Sequence, residues 1–170
     1  MGGNAAAAFP PSISRPGDLM NFRTLALALT LVLAPGCESV PSCPPGAQLM
    51  GAAPPDGEQQ WCQKIADGKP VKHGYYVVYG PNGLKLIEGD YLDGKQDGEW
   101  TIYYESGLQQ TVDHYKNGVQ EGQHIGWYPN GKIATMGQYK NGKREGTWKR
   151  WDSDGFKNWE EVYKDDKKVS

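Results

Sequence analysis

The chain is short of what most enzymes and compact globules rely on. Phe occurs three times in 170 residues. Leu, Ile and Val are fewer than a compact globule normally carries, while Tyr and Trp are abundant at 10 and 6, so a large aliphatic core is not on offer. Ser is sparse and no G-x-S-x-G elbow occurs, which removes a common hydrolase arrangement. There are three histidines, His73, His114 and His124, and three cysteines, Cys37, Cys43 and Cys62. The histidines are scattered and the cysteines lack nearby His, so neither set has the spacing of a zinc site. The net charge of −2 denies nucleic acid the basic surface it needs. The apolar run Leu25 to Ala34 is only about ten residues, half of what crosses a bilayer. No catalytic residue, metal site or cofactor is expected.

What is present is Gly, Pro and aromatics. The 23 Gly and 12 Pro punctuate the chain at short intervals, while the Trp and Tyr content is too high for a disordered segment. Short strands and tight turns fit both facts.

The front of the chain reads as a targeting segment. "MNFRTLALALTLVLAPGC" (Met20 to Cys37) has a basic residue, Arg23, an apolar core and small residues before a Cys. That is the layout of a secretory signal. It resembles a bacterial lipobox, which implies that Cys37 takes lipid and becomes the mature N-terminus. Ala34 and Pro35 depart from the usual pattern. Residues 1–19 do not fit a signal and read as an upstream extension, disordered if translated, with 20–36 as the signal peptide. Without residues 1–36, which hold Arg15, Arg23 and Asp18, the chain keeps 16 basic and 19 acidic residues. With Cys37 lipidated, Cys43 and Cys62 form an even pair in an oxidising compartment, and a disulfide is expected. The Pro-rich stretch between them has little periodicity. Residues 37–71 therefore read as a lipid-anchored linker stapled by that bond.

Beyond it the chain repeats. Steps of 24 link Gly74, Gly98, Gly122 and Gly146, and equally Gly83, Gly107, Gly131 and Gly155. Tyr91, Tyr115, Tyr139 and Tyr163 form a third column. Two residues after the first Gly stand Tyr76, Trp100, His124 and Trp148, and five after it Tyr79, Tyr103, Trp127 and Trp151. Gly94, Gly118 and Gly142 continue into Asp166, where the pattern decays. Each copy has an aromatic run such as "GEWTIYY", a turn such as "PNG", a second run and a turn such as "KNGK". Asn-Gly and Asp-Gly supply the positive φ of tight hairpin turns, so each copy is one β-hairpin. Residues 72–170 are thus expected to hold four repeats and eight strands. At about 4.8 Å per strand they make a ribbon close to 40 Å long. The fold class is all-β: tandem hairpins in an elongated, twisted, single-layer antiparallel sheet.

"HGYYVVYGPNGLKLIEGDYLDGK", "GEWTIYYESGLQQTVDHYKNG", "GQHIGWYPNGKIATMGQYKNGKREG" and "GTWKRWDSDGFKNWEEVYKDDK" resemble the MORN repeat in its bacterial variant. His124 and Asp166 depart from that pattern. The resemblance implies hairpin repeats with a binding or scaffolding role. Similar bacterial chains are often labelled YwqK-type antitoxin components, but an exported lipoprotein is badly placed to neutralise a cytoplasmic toxin. Asp152 and Asp154 sit in a turn, where Asp serves the backbone, and a thin ribbon has little room for a catalytic cleft.

The expectation is a non-enzymatic, exported, lipid-anchored module on the periplasmic side of a bacterial membrane, recognising a protein, peptide or envelope component. An antitoxin-like or carrier module for one cognate protein is the alternative. The rings are expected mainly to pack. Tyr79, Tyr103, Trp127 and Trp151 are the candidate binding ladder.

Overall fold

The computed structural model describes residues 42–170. The expected extension 1–19, the signal peptide 20–36 and the lipidation site Cys37 lie outside the described residues. Eleven antiparallel strands form one open sheet in chain order, each paired with its sequence neighbours. They are β1 (Gln48–Ala52), β2 (Gln59–Ala66), β3 (Lys69–Tyr79), β4 (Lys85–Leu92), β5 (Lys95–Tyr103) and β6 (Gln109–Lys116). Then follow β7 (Val119–Trp127), β8 (Ile133–Lys140), β9 (Lys143–Trp151), β10 (Lys157–Lys164) and the two-residue β11 (Lys167–Lys168). The sheet is the expected all-β hairpin ribbon.

Two kinds of turn alternate along it. At Asn117-Gly118 both residues have positive φ, 52° and 82°, the geometry of a two-residue primed hairpin. Asp165-Asp166 copies it at φ 51° and 64° with Asp in the Gly place. There the Asp166 carboxylate accepts from Arg144 N at 2.9 Å and Arg144 Nε at 3.2 Å. The other kind, as at residues 104–108, closes with Gly107 N donating to Tyr104 O at 2.8 Å and Tyr104 N to Leu108 O at 2.8 Å. Gly107 has φ +84°, which marks a three-residue loop ending in a left-handed glycine.

Neighbouring hairpins are tied at their tips. Gly118 N donates to Gln96 O at 2.8 Å, and Gly142 N to Gln120 O at 2.9 Å. Side chains add a second tie 20 residues back. Asn117 N donates to Asp97 Oδ1 at 3.3 Å, Asn141 N to Glu121 Oε2 at 2.7 Å and Asp165 N to Glu145 Oε2 at 3.2 Å. Each repeat therefore stabilises its neighbour, as in other linear arrays.

The reading of residues 37–71 as a linker needs correction. β1, β2 and the start of β3 fall inside it and belong to the sheet. Asp67-Gly68-Lys69 is a further copy of the Asp93-Gly94-Lys95 turn. The ring pair Trp61–Tyr76 stands two residues further from that turn, on each arm, than Gly89–Trp100 stands from Asp93-Gly94. This longer hairpin breaks the 24-residue step without breaking the pleat. The array thus has eleven strands rather than eight. Cys43 and Cys62 are bonded, with Cα atoms 5.5 Å apart. Cys62 is fully buried, and Pro44 packs so closely on Gly74 that a Cβ there would lie 2.4 Å from it.

Buried side chains lie on both faces, and on one of them a single row of ring positions crosses the sheet. Register pairing runs Trp61, Tyr76, Gly89, Trp100, Asp113, His124, Gly137, and Trp148 continues it to Glu161. Trp100 and Trp148 are buried because each lies flat on a glycine of the preceding strand. A Cβ on Gly89 would stand 2.5 Å from the Trp100 ring, and one on Gly137 2.2 Å from Trp148. Tyr91 packs edge-on against Trp100 at 5.1 Å, and Tyr139 against Trp148 at 5.0 Å. Between these two modules the rule changes. Asp113 replaces the glycine, His124 replaces the indole, and His124 Nδ1 lies 2.8 Å from Asp113 Oδ1. The imidazole stacks on Trp148 at 5.4 Å.

Candidate functional site

Side chains alternate across a strand, so Tyr103, three residues after Trp100, points to the opposite face. The same holds for the whole +5 column. Register places it in one row with interleaved partners: Tyr79 opposite Lys85, Tyr103 opposite Gln109, Trp127 opposite Ile133, Trp151 opposite Lys157. Each pair is flanked by a bulge where β3, β5, β7 and β9 meet the following strand. All four rings are half-buried. Beside them on this face lie Val77, Thr101 and Val112, which are buried, so the tyrosine end of the ladder stands on a small, mostly apolar floor. The repeat glycines Gly74, Gly98, Gly122 and Gly146, and Gly83, Gly107, Gly131 and Gly155, all have positive φ. They shape the backbone and present no binding group.

The two ends of the ladder differ chemically. Tyr79 donates to Gln60 Oε1 at 3.1 Å. Tyr103 donates a short hydrogen bond to Glu88, which also accepts from Tyr75 at 3.2 Å and from Lys85 at 3.1 Å. Burial pushes the Tyr103 phenol up, and its bond to the Glu88 carboxylate adds to this, bringing it to about 12. Burial works to raise Glu88, but the donors Tyr103, Lys85 and Tyr75 outweigh it and hold the carboxyl below its ordinary range. Those tyrosines are locked. At the other end are indoles. Trp61, Trp100 and Trp148 donate their N–H to Gln63 Oε1, Asp90 O and Gln138 O. Among the described residues, Trp127 and Trp151 have no acceptor for theirs, and neither N–H is sealed from solvent.

The two faces therefore divide. One consumes its rings in packing, and the other keeps a row of rings with polar side chains between them. The interleaved residues Lys85, Gln109, Ile133 and Lys157 were not singled out from the sequence. They also step by 24, but their types vary, so only the register exposes the row. Among the described residues no group of His, Cys, Asp and Glu could hold a metal ion. The Asp113–His124 pair sits in the packed row, on the face opposite the ladder.

This architecture defines a β-hairpin repeat protein. Residues 96–117 and 120–141 each match the MORN repeat variant, and these two adjacent units coincide with β5–β6 and β7–β8. Repeats of this family are in general non-catalytic and suggest a scaffold or binding module. No curated protein matches the chain.

Proposed function

We propose that this chain is a non-enzymatic binding module, exported and held by lipid on Cys37, whose ladder face captures an envelope component. The observation that carries the binding face is the pair Trp127 and Trp151: half-buried rings, each with an indole N–H that meets no acceptor among the described residues. A polar hydrogen left unpaired beside apolar surface costs nothing only if water or a ligand satisfies it, and Trp is the residue most enriched at binding hot spots. Export is supported by the apolar run before Cys37 and by the Cys43–Cys62 bond, which belongs to an oxidising compartment.

Two measurements test the reading. Cys37→Ser should move the protein from membrane to soluble fractions, and a wild-type protein already soluble and unacylated by mass spectrometry refutes the anchor. Trp127→Ala should abolish capture of the partner from an envelope extract while the circular dichroism melt stays cooperative. Undiminished capture by a folded Trp127→Ala variant refutes the ladder as the binding face.

A further inference from the structure

The spacing of the ladder separates ligand classes. Equivalent rings stand two strands apart, about 9.6 Å along the row. An extended peptide repeats a side chain on one face every ~6.7 Å, so it falls out of step after one ring. A helix advances about 10.5 Å in seven residues. It would need a continuous apolar seam, and Lys85 and Gln109 interrupt the row. A β-1,4-linked glycan turns each sugar over relative to the last, so like faces recur every second residue. That disaccharide is about 10 Å long, close to the two-strand spacing.

The chemistry agrees with the spacing. A β-linked hexopyranose has equatorial hydroxyls at its rim and flat faces of C–H groups, so it asks for an aromatic plane flanked by donors and acceptors. Trp127 and Trp151 offer planes and free indole N–H groups. Gln109 offers an amide opposite Tyr103, and Lys157, whose ammonium also pairs with Glu160, stands opposite Trp151. Ile133 lies opposite Trp127, where a second sugar would rest on an apolar surface. The three core indoles, already bonded within the protein, offer nothing comparable.

Resting on the ladder as the binding face, we propose that the row from Tyr103 to Trp151 is a platform for a β-1,4-linked glycan, one disaccharide per repeat. The sugar chain runs across the strands, along the axis of the array. Cellulose-type glucans and N-acetylhexosamine chains, including the glycan strands of a cell wall, share this geometry.

The test is calorimetric titration of the full chain with β-1,4-linked oligosaccharides of two, four and six sugars, in a glucose series and an N-acetylglucosamine series. Peptide-free cell-wall glycan strands form a third arm, and the α-1,4-linked maltohexaose is the control. Affinity should rise at least about tenfold from disaccharide to hexasaccharide as a second and third ring engage, and the control should give no heat at millimolar concentration. The tightest β-linked arm identifies the source. Trp127→Ala should lower hexasaccharide affinity at least tenfold and flatten the length dependence. Gln109→Ala, an exposed change at a strand end, should weaken binding without touching the packed row. Absence of binding in every β-linked arm overturns the proposal, as does affinity independent of length or equal for maltohexaose. If the sugars fail while Trp127→Ala still abolishes capture from the envelope extract, the glycan inference falls and the ladder reading stands. If neither assay depends on Trp127, both fall.

Discussion

The coupled exchange at Asp113 and His124 gives the sharpest test of how the sheet packs. The array places an indole on a glycine at 89/100 and 137/148, and a carboxylate against an imidazole at 113/124. His124→Trp alone would push an indole onto the Asp113 Cβ, where the equivalent distances are 2.5 and 2.2 Å. It would also strip the carboxylate of a partner, leaving only Gln120 Nε2 at 3.2 Å. Overpacking costs about 1–3 kcal/mol and the lost hydrogen bond of a partly buried carboxylate about 1 kcal/mol more, so a loss of about 3 kcal/mol is expected. Asp113→Gly alone leaves His124 Nδ1 without an acceptor, opens a gap and adds chain entropy, together about 2 kcal/mol. The double change rebuilds the motif of its neighbours, with the new indole stacked between flat glycine backbone and Trp148. It should fall within about 1 kcal/mol of the parent, so the coupling energy is about 4 kcal/mol, beyond the common range for contacting residues. Urea titration followed by circular dichroism and tryptophan fluorescence measures all three variants. Additivity to within about 0.5 kcal/mol would show that the two positions do not read each other, and the account of the core row would be wrong.

Two further outcomes follow from the same geometry. Gly137→Ala and Gly89→Ala should each destabilise by about 2 kcal/mol or more by driving a Cβ into an indole. Gly98→Ala and Gly146→Ala have open space and should cost only about 1 kcal/mol, from their positive φ; equal losses in a denaturant series would remove the ring contact as the cause. Tyr103, raised to about 12, contributes stability that is complete below the ordinary phenol value near 10 and fades as pH rises from there through about 12. Ultraviolet phenolate titration should show a late phase that Tyr103→Phe deletes. Glu88→Gln should bring that phase only part of the way down, since burial is the larger cause, and an unchanged phase in Glu88→Gln would refute the Glu88 bond.

Much of this architecture was legible because its turns are chemically strict. A left-handed pair tolerates little but Asn, Asp and Gly, so Asn117-Gly118 and Asn141-Gly142 return at a fixed interval and betray the pitch. The first hairpin escaped for a physical reason. Strands accept two extra residues per arm without turning any side chain to the wrong face, so the β2–β3 hairpin kept its packing while losing its phase. The steps Gly68 to Gly74 and Gly94 to Gly98 differ by one pleat. The ladder was legible as a column but not as a row, because Lys85, Gln109, Ile133 and Lys157 share a place and not a chemistry.

The exchange at Asp113 and His124 was visible in the letters, though it carries no meaning until the strands are paired. Gly89, Asp113 and Gly137 each precede their ring by eleven residues, and only the antiparallel register brings the two into contact. That contact explains why one column of rings can serve packing while the other stays available. A glycine beneath an indole lets the ring lie flat on the sheet, where its N–H reaches a neighbouring acceptor, as Trp100 reaches Asp90 O at 3.1 Å and Trp148 reaches Gln138 O at 3.2 Å. The ladder rings face Lys85, Gln109, Ile133 and Lys157, all with side chains, so they cannot settle onto backbone in that way. Their half-exposed planes and the free N–H groups of Trp127 and Trp151 follow from the absence of glycine in the opposing strand. Placing glycine opposite Trp127, as Ile133→Gly, should let that ring collapse onto the sheet, raising stability or leaving it level while binding on the ladder face is lost. Retained binding in that variant would mean that the exposure of the ring has another cause.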